Sequence, residues 1–264
     1  EADNPVRPKD RRPDFSGILF LSAGVVPWQT DWVSLDLDYD FFQSFHVEES
    51  GFNVNFNKVS PSVAFKLWDR VVPRAGYVFE NTLLGSSTYA RVHEGFGEVT
   101  LSWGRGFATS TRYAYRDQTY FDTPLFRTNT LRTGPRHVAE VRQDFAWKGI
   151  GFRFSGLGEF DRANAEFWSY DGFRFRLDAS FRLWVLNFGL GAAYNERHYR
   201  AEYPGTNRKR LDREQQYSAA VSYRITPWLS ASLINTTVIN DSNIAYLFEY
   251  NRNITGIFFS AGLP

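Results

Sequence analysis

The chain has 264 residues, with 30 Lys and Arg against 29 Asp and Glu, and its formal net charge of +1 lacks the basic excess of a nucleic-acid binder. It contains no cysteine, which excludes a disulfide framework, a thiolate metal site and cysteine catalysis. Aromatic residues make up 18% and charged residues 22%, too many rings for a disordered chain and a mixture that calls for segments with one greasy and one wet face.

The first fourteen residues, 1–14, are polar, carry Pro5, Pro8 and Pro13, and lack the charged-then-apolar pattern of a secretory leader. A central strand cannot hold so many prolines, so this stretch is read as a loop, a linker or a plug ahead of a domain spanning 15–264. No window approaches the roughly 20 apolar residues of a membrane helix. The best apolar stretch, Ile18 to Val26, is short and interrupted by Ser22 and Gly24. That criterion does not apply to membrane β-barrels, whose strands alternate and average to a neutral hydropathy.

From residue 15 onward the hydrophobic period is two. Val33, Leu35, Leu37, Tyr39 and Phe41 alternate with Ser34, Asp36, Asp38 and Asp40. Ile150, Phe152 and Phe154 alternate with Gly151, Arg153 and Ser155, and Phe173, Phe175, Leu177, Ala179 and Phe181 alternate with Arg174, Arg176, Asp178, Ser180 and Arg182. This is the pattern of half-buried strands. It predicts thirteen of them, over 15–26, 32–43, 52–67, 73–84, 90–103, 107–120, 136–147, 150–162, 170–182, 184–199, 214–225, 228–239 and 251–262. No stretch has helical spacing.

The connections alternate in length. Short ones fall near Pro27–Asp31, Trp68–Val72, Gly104–Gly106, Lys148–Gly149, Arg182–Leu183 and Thr226–Pro227. Long ones fall near Ser44–Gly51, Gly85–Tyr89, Phe121–Pro135, Arg162–Ser169, Arg200–Arg213 and Asn240–Tyr250. Short turns at one end and long loops at the other characterise outer-membrane barrels, with the turns periplasmic and the loops extracellular. The expected fold is therefore all-β: a transmembrane antiparallel up-and-down β-barrel of 12–14 strands. Bacterial barrels have an even strand number, so a count of thirteen favours fourteen in the complete barrel.

Tryptophan placement supports a membrane boundary. Trp28, Trp32, Trp68, Trp103, Trp147, Trp184 and Trp228 all sit beside short turns, and only Trp168 lies near a long loop. Indole favours the headgroup region, so these seven are expected to form an interface girdle. Tyr39, Tyr77, Tyr113, Tyr115, Tyr120, Tyr194 and Tyr246 would form a weaker girdle opposite.

The polar face would line the lumen. Its candidates are Asp36, Asp38, Asp40, Glu94, Glu98, Arg112, Arg116, Glu140, Asp144, Arg153, Arg174, Arg176 and Asp178. Neighbouring strands carry opposite signs, so Glu94 and Glu98 are expected to face Arg112 and Arg116, a mutually supporting arrangement. Asp36, Asp38 and Asp40 have only Lys58 and Lys66 on the next strand and are expected to meet arginines elsewhere in the lumen.

The segment Asn240-Asp241-Ser242-Asn243-Ile244, followed by Tyr250-Asn251-Arg252-Asn253-Ile254 and an alternating last strand, resembles the end of a family of outer-membrane barrels. Members of that family often follow periplasmic tetratricopeptide repeats. Surface lipoprotein assembly modifiers and exopolysaccharide export barrels are similar in layout. The resemblance implies an outer-membrane conduit or anchor. The end Gly262-Leu263-Pro264 departs from the family's terminal aromatic residue.

Chemistry is sparse. His46, His93, His137 and His198 show no metal-ligand spacing. His46 and His198 lie toward long loops with Ser44, Ser50 and Glu196 nearby, the arrangement a rim hydrolase would use. Arg208-Lys209-Arg210 reads as a solvated loop cluster that could meet lipopolysaccharide phosphates. Asn235-Thr236-Thr237 and Asn253-Ile254-Thr255 match the glycosylation pattern only formally. The expected function is a non-catalytic conduit or anchor for export or assembly of a partner or polymer. The alternatives are a narrow diffusion porin and a rim hydrolase. No catalytic residue, cofactor or metal is expected. The expected partners are outer-membrane lipid, lipopolysaccharide and a periplasmic or surface protein, with no nucleic acid.

Overall fold

The computed structural model describes residues 16–47, 50–67, 70–104 and 106–261. Among them run thirteen strands: β1 (Ser16–Gln29), β2 (Val33–His46), β3 (Val54–Phe65), β4 (Val71–Leu84), β5 (Ser87–Gly104), β6 (Phe107–Tyr120), β7 (Gly134–Trp147), β8 (Ile150–Asp161), β9 (Tyr170–Leu183), β10 (Leu186–Glu202), β11 (Lys209–Thr226), β12 (Leu229–Ser242) and β13 (Tyr250–Ala261). They lie in one sheet in chain order, the up-and-down arrangement that alternation with short connections dictates. A single helical turn, α1 (Ala245–Phe248), interrupts the connection before β13. The expected fourteenth strand, the role of residues 1–14 and the departure at Gly262-Leu263-Pro264 fall outside the described residues.

The chain divides into two compact units. The first comprises Glu1–Val99, Arg112–Val138 and Phe160–Ser169, and the second Thr100–Thr111, Ala139–Glu159 and Tyr170–Pro264. In the first, β1, β2, β3 and β4 pair antiparallel with Ser22 opposite Asp40, Asp40 opposite Lys58, and Lys58 opposite Glu80. The β1–β2 register slips between Val25 and Trp28, where Pro27 has no N–H to donate and a bulge absorbs the gap. In the second, β9 to β13 pair antiparallel with Leu177, Ala192, Tyr217, Thr237 and Asn253 in one row.

Local chemistry sets the turns. Lys148 and Gly149 both have positive φ, +48° and +81°, the requirement of a two-residue hairpin turn whose twist matches its strands. One connection departs from expectation. The one expected to be long at Gly85–Tyr89 is a two-residue turn, Gly85–Ser86, made possible by φ +59° at Gly85. The other large difference is the β10–β11 hairpin. It extends to Glu202 and Lys209, well into the 200–213 region expected to be a loop. Its distal residues are mostly charged, with only Ala201 and Leu211 apolar, so they carry too little alternation for a period-two reading to detect.

Burial runs opposite to that of a water-soluble protein. Large apolar side chains are exposed on one face: Phe154 51%, Leu177 50%, Leu190 52% and Phe259 71%. Buried apolar side chains in the first unit are small, including Ala64, Val78, Ala90, Val92 and Ala114. Their strand positions share a face with Glu80, Glu94 and Arg112. A sheet with greasy residues outside and charge within is built for a lipid solvent.

Candidate functional site: the charge-paired face

Period two places alternate residues of each strand on one face, and on this face the charges meet. In the first unit Asp40 receives the Lys58 ammonium at 3.0 Å and the Ser22 hydroxyl at 2.7 Å, both direct cross-strand neighbours. Arg74 on β4 approaches Asp36 at 3.6 Å. Asp38 has no cation within ion-pair distance among the described residues; its flanking positions are Gly24 and Ser60. Asp40 and Asp36 therefore find their cations on β3 and β4, not on more distant strands.

Glu94 is 5% exposed and takes two arginines from β6, Arg112 by a direct hydrogen bond and Arg116 at 3.0 Å. Arg116 also donates to Glu80 of β4 at 2.9 Å. Both arginines converge on Glu94. The Arg112 guanidinium lies 4.4 Å from the centre of the Phe96 ring, and that ring sits on Gly76, the position where an added Cβ would come within 2.6 Å of it. A glycine on β4 thus makes room for the aromatic plate that supports the ion pair. Asp161 at the end of β8 binds Arg136 of β7.

In the second unit Asp144 joins Arg142, two residues before it, and Arg153 of β8, at 3.1 and 2.7 Å. Asp178 holds Arg176 by two hydrogen bonds of 2.7 and 2.8 Å. Arg210 donates to Asp212 at 3.0 Å. The Arg142–Asp144, Arg176–Asp178 and Arg210–Asp212 pairs each lie within one strand, two residues apart; for Asp144 and Asp178 a cross-strand pattern was expected, and Asp144 also makes one with Arg153. Residues i and i+2 share a face, and arginine is long enough to fold back onto the shorter aspartate. Glu159 accepts the Tyr170 hydroxyl at 2.7 Å and stands 3.9 Å from Arg174. Glu140 has no ion pair among the described residues.

A recess of about 490 Å³ opens on this unit between the charged pairs. Small residues form much of its floor: Gly151, Ser180, Gly189, Ser218 and Ala220. Asp144, Arg153 and Asp178 border it.

The loop ends are pinned by arginines. Arg132 lies 5.0 Å from the Tyr120 ring and 5.2 Å from the Trp168 ring, and donates to the Tyr89 hydroxyl at 3.1 Å. Arg210 is held between the Phe248 and Tyr199 rings, at 3.3 and 4.5 Å. It is therefore not part of a solvated cluster. Only Arg208 and Lys209 of that cluster are exposed.

On the opposite face, Trp28, Trp32, Trp103, Trp147, Trp184 and Trp228 are all exposed beside short turns, and Trp68 lies outside the described residues. Nearer the loop ends, outward tyrosines share one arrangement. Tyr39 donates to Asn57 at 2.8 Å, Tyr113 bonds His137 at 2.7 Å, Tyr217 donates to Gln215 at 2.9 Å, Tyr77 bonds His93, and Tyr194 donates to Glu196. On β2–β3, β10 and β11 the partner stands nearer the loop end than the tyrosine. Each ring thus lies on the apolar surface with its hydroxyl turned to a polar neighbour. Tyr120 and Tyr246 do not follow this pattern. Tyr120 packs edge-on against Tyr89, and Tyr246 lies in α1. His198 bonds Glu196 at 2.6 Å, and Arg213 approaches the same carboxylate at 3.2 Å. No group of three His, Cys, Asp or Glu side chains stands together to hold a metal among the described residues.

Sequence reasoning missed Glu80, Arg74, Arg136 and Arg142 as members of the paired face. Arg74 and Glu80 keep the phase of β4, so continuing the alternation there would have found them. The His–Tyr couples carry no local signal, because each joins different strands.

No known family description matches the chain, and no curated protein matches it. Solved structures do. In-vitro folded OmpT, an outer membrane protein of Vibrio cholerae, is similar with a TM-score of 0.54 at 9% identity, covering 92% of this chain and 96% of that one. Its loop L8 deletion mutant gives 0.52 at 10% identity, covering 92% and 97%. The CymD monoaromatic hydrocarbon channel gives 0.50 at 10% identity, covering 95% and 86%. The narrower likeness of the C-terminal motifs to tetratricopeptide-linked barrels is not among these findings. The fold is that of the outer-membrane β-barrels.

Proposed function

We propose that the polar face lines a hydrated passage and that the protein is a non-catalytic conduit for hydrophilic cargo across the outer membrane. The observation that carries this reading is the matching of charges on that face: Asp40 with Lys58, Glu94 with Arg112 and Arg116, Asp144 with Arg153, and Asp178 with Arg176. Several of these side chains are well exposed, Arg153 at 55% and Arg176 at 47%, as a wet interior requires. Ionised side chains facing lipid would be far costlier. A charged lining also favours hydrophilic cargo over the monoaromatic hydrocarbons named for the CymD channel.

In this reading the turn-end tryptophans lie at the periplasmic boundary, and the tyrosines with polar partners lie at the outer one. Lipopolysaccharide is the lipid partner at the outer rim, where His198 and Arg213 are exposed. A rim hydrolase has less support, since no hydroxyl is hydrogen-bonded to His198 among the described residues.

Planar-bilayer recording of the refolded full chain tests the proposal. Stepwise conductance with weak ion selectivity is the expected result. A preparation whose electrophoretic mobility shifts on heating, and which is therefore folded, but which passes no current, would instead favour an anchor.

A further inference from the structure

The polar face of the second unit changes character along its height. At mid-height its side chains are wet, with Arg174 40% and Arg176 47% exposed. Toward the loop end the same face is dry: Asn195, Tyr199, Asp212 and Asn240 are all buried. Register fixes these residues on that face. Asn195 lies in one row with Arg174 and Glu214, and Glu214 pairs with Asn240. Tyr199 keeps the phase of Asn195 on β10, and Asp212 and Arg210 keep the phase of Glu214 on β11.

The connection between β12 and β13 folds onto this end. It is the segment whose motifs, Asn240 to Ile244 and Tyr250 to Ile254, stood out in the sequence. Asn243 anchors its base, accepting from Leu211 N–H and donating to Lys209 O, both at 2.8 Å. Ile244, 2% exposed, opens the α1 turn, and its carbonyl accepts from the Leu247 and Phe248 N–H groups. Asn240 Nδ2 donates to the Phe248 carbonyl at 2.7 Å, and the Tyr250 hydroxyl donates to Glu214 at 2.9 Å. The turn thereby delivers Phe248 to the polar face. Its ring lies against the Arg210 guanidinium, and Tyr203 packs edge-on to it at 5.1 Å. Arg210 is itself fixed by its ion pair with Asp212. Tyr246, on the same turn, is 74% exposed.

We infer that this turn, 243–249, is the neck of the passage on this unit, and that Phe248 is the side chain that sets its width. The inference rests on the reading of the polar face as the passage wall. Its first support is the change from wet to dry at the height where the turn folds in. A bare wall would leave Asp212 and Asn240 as open as Arg176. Its second support is the way the ring is held. Arg210 is already neutralised and immobilised by Asp212, so its guanidinium offers a phenyl ring a cation–π seat on a face that has no apolar pocket for it. A phenyl ring in that position adds bulk and no hydrogen bond. It therefore selects solutes by size rather than by charge.

The test compares the refolded full chain with Phe248→Ala and, as a control on the same turn, Tyr246→Ala. Heat-shifted mobility on gels verifies that each is folded. Planar-bilayer current and the swelling of liposomes in neutral sugars of graded size are the readouts. Phe248→Ala should at least roughly double the conductance and admit larger sugars, while Tyr246→Ala leaves both unchanged. Because the chain has no cysteine, a second measurement uses Phe248→Cys and Tyr246→Cys under recording. Aminoethyl methanethiosulfonate should lower the current stepwise in the first and not in the second. If the unmodified protein conducts and folded Phe248→Ala matches it in current and size limit, the inference falls and the passage stands. Equal block at Tyr246→Cys also overturns it. If neither the unmodified protein nor Phe248→Ala conducts, although both are folded, the passage falls and the neck with it. Current in Phe248→Ala alone would support both.

Discussion

Arg136 Nε and Nη2 each stand 2.7 Å from the same oxygen of Asp161, Oδ2, and Asp161 is 4% exposed. Gln118 reaches that oxygen too, at 3.4 Å. A carboxylate this enclosed cannot recover its solvation if its cation is lost. Asp161→Asn should destabilise the barrel by about 2 kcal/mol, because Arg136 and Gln118 lose a charged, buried acceptor. The check is the temperature at which the folded band disappears on unheated gels. Arg136→Met combined with Asp161→Leu should restore most of the loss. If the double variant is as weak as Asp161→Asn, packing rather than charge is the cause.

Gly134 opens β7 where the backbone of Arg162 crosses it. A Cβ at this position would run into the Arg162 carbonyl oxygen and stand 2.8 Å from its carbon, both main-chain atoms that cannot swing aside. Nearby, Arg162 N–H bonds Pro135 O at 2.9 Å and Asn164 N–H bonds Thr133 O at 2.7 Å, tying the two loops together. Gly134→Ala should push these strands apart and expose the 121–133 and 162–169 loops to protease on intact cells. Gly149→Ala, where nothing lies within 4 Å of the added Cβ, should cost only its positive φ. Cleavage as slow as in the unaltered protein would show that the loops adjust without the glycine.

The thirteen strands were legible because one face of each must be apolar, and a period of two records that directly. The β10–β11 extension was not, since beyond Tyr199 and before Glu214 the paired segments Arg200-Ala201-Glu202 and Lys209-Arg210-Leu211-Asp212-Arg213 are mostly charged and too short to show a period. The polar face was legible as a set of residues, yet its bonding was not. Sequence places Arg176 and Asp178 on one face, but whether Arg176 bonds Asp178 or a neighbouring strand depends on what fills the space beside it. Gly191, whose added Cβ would sit 2.9 Å from Asp178 Oδ1, leaves that space open. The convergence of Arg112 and Arg116 on Glu94 likewise depends on Glu80 arriving from β4, a neighbour fixed by register rather than by sequence distance.

Leu190 and Ser218 are near neighbours on opposite faces of adjacent strands, which makes them a matched pair of probes. Leu190 is 52% exposed on the apolar face, and Ser218 lines the recess on the other. An arginine at Leu190 must enter lipid and should cost about 2–4 kcal/mol if it lies near the bilayer midplane. An arginine at Ser218 enters a recess already bordered by Asp178 and should leave folding yield nearly unchanged while lowering conductance. Guanidine unfolding into lipid vesicles measures the first, and single-channel current the second. Equal destabilisation by both would mean that the two faces are not lipid and water.

Asp38 and Asp40 lie two residues apart on β2 and differ in their partners: Asp40 is matched by Lys58 and accepts from Ser22, and Asp38 has no such cation among the described residues. If the polar face lines the passage, Asp38 contributes uncompensated negative potential and attracts cations, whereas the Asp40–Lys58 pair contributes little at long range. Asp38→Asn should then shift the reversal potential in a salt gradient toward anions without changing stability. Asp40→Asn should shift it the same way by freeing Lys58, and should also lower stability because the Ser22 and Lys58 bonds to a charged acceptor are weakened. Lys58→Met should shift it in the opposite direction. Raising the salt concentration should shrink all three shifts as the Debye length falls below the width of the passage. Unchanged reversal potentials in all three variants, with conductance intact, would place the β2 acids away from the conducting path.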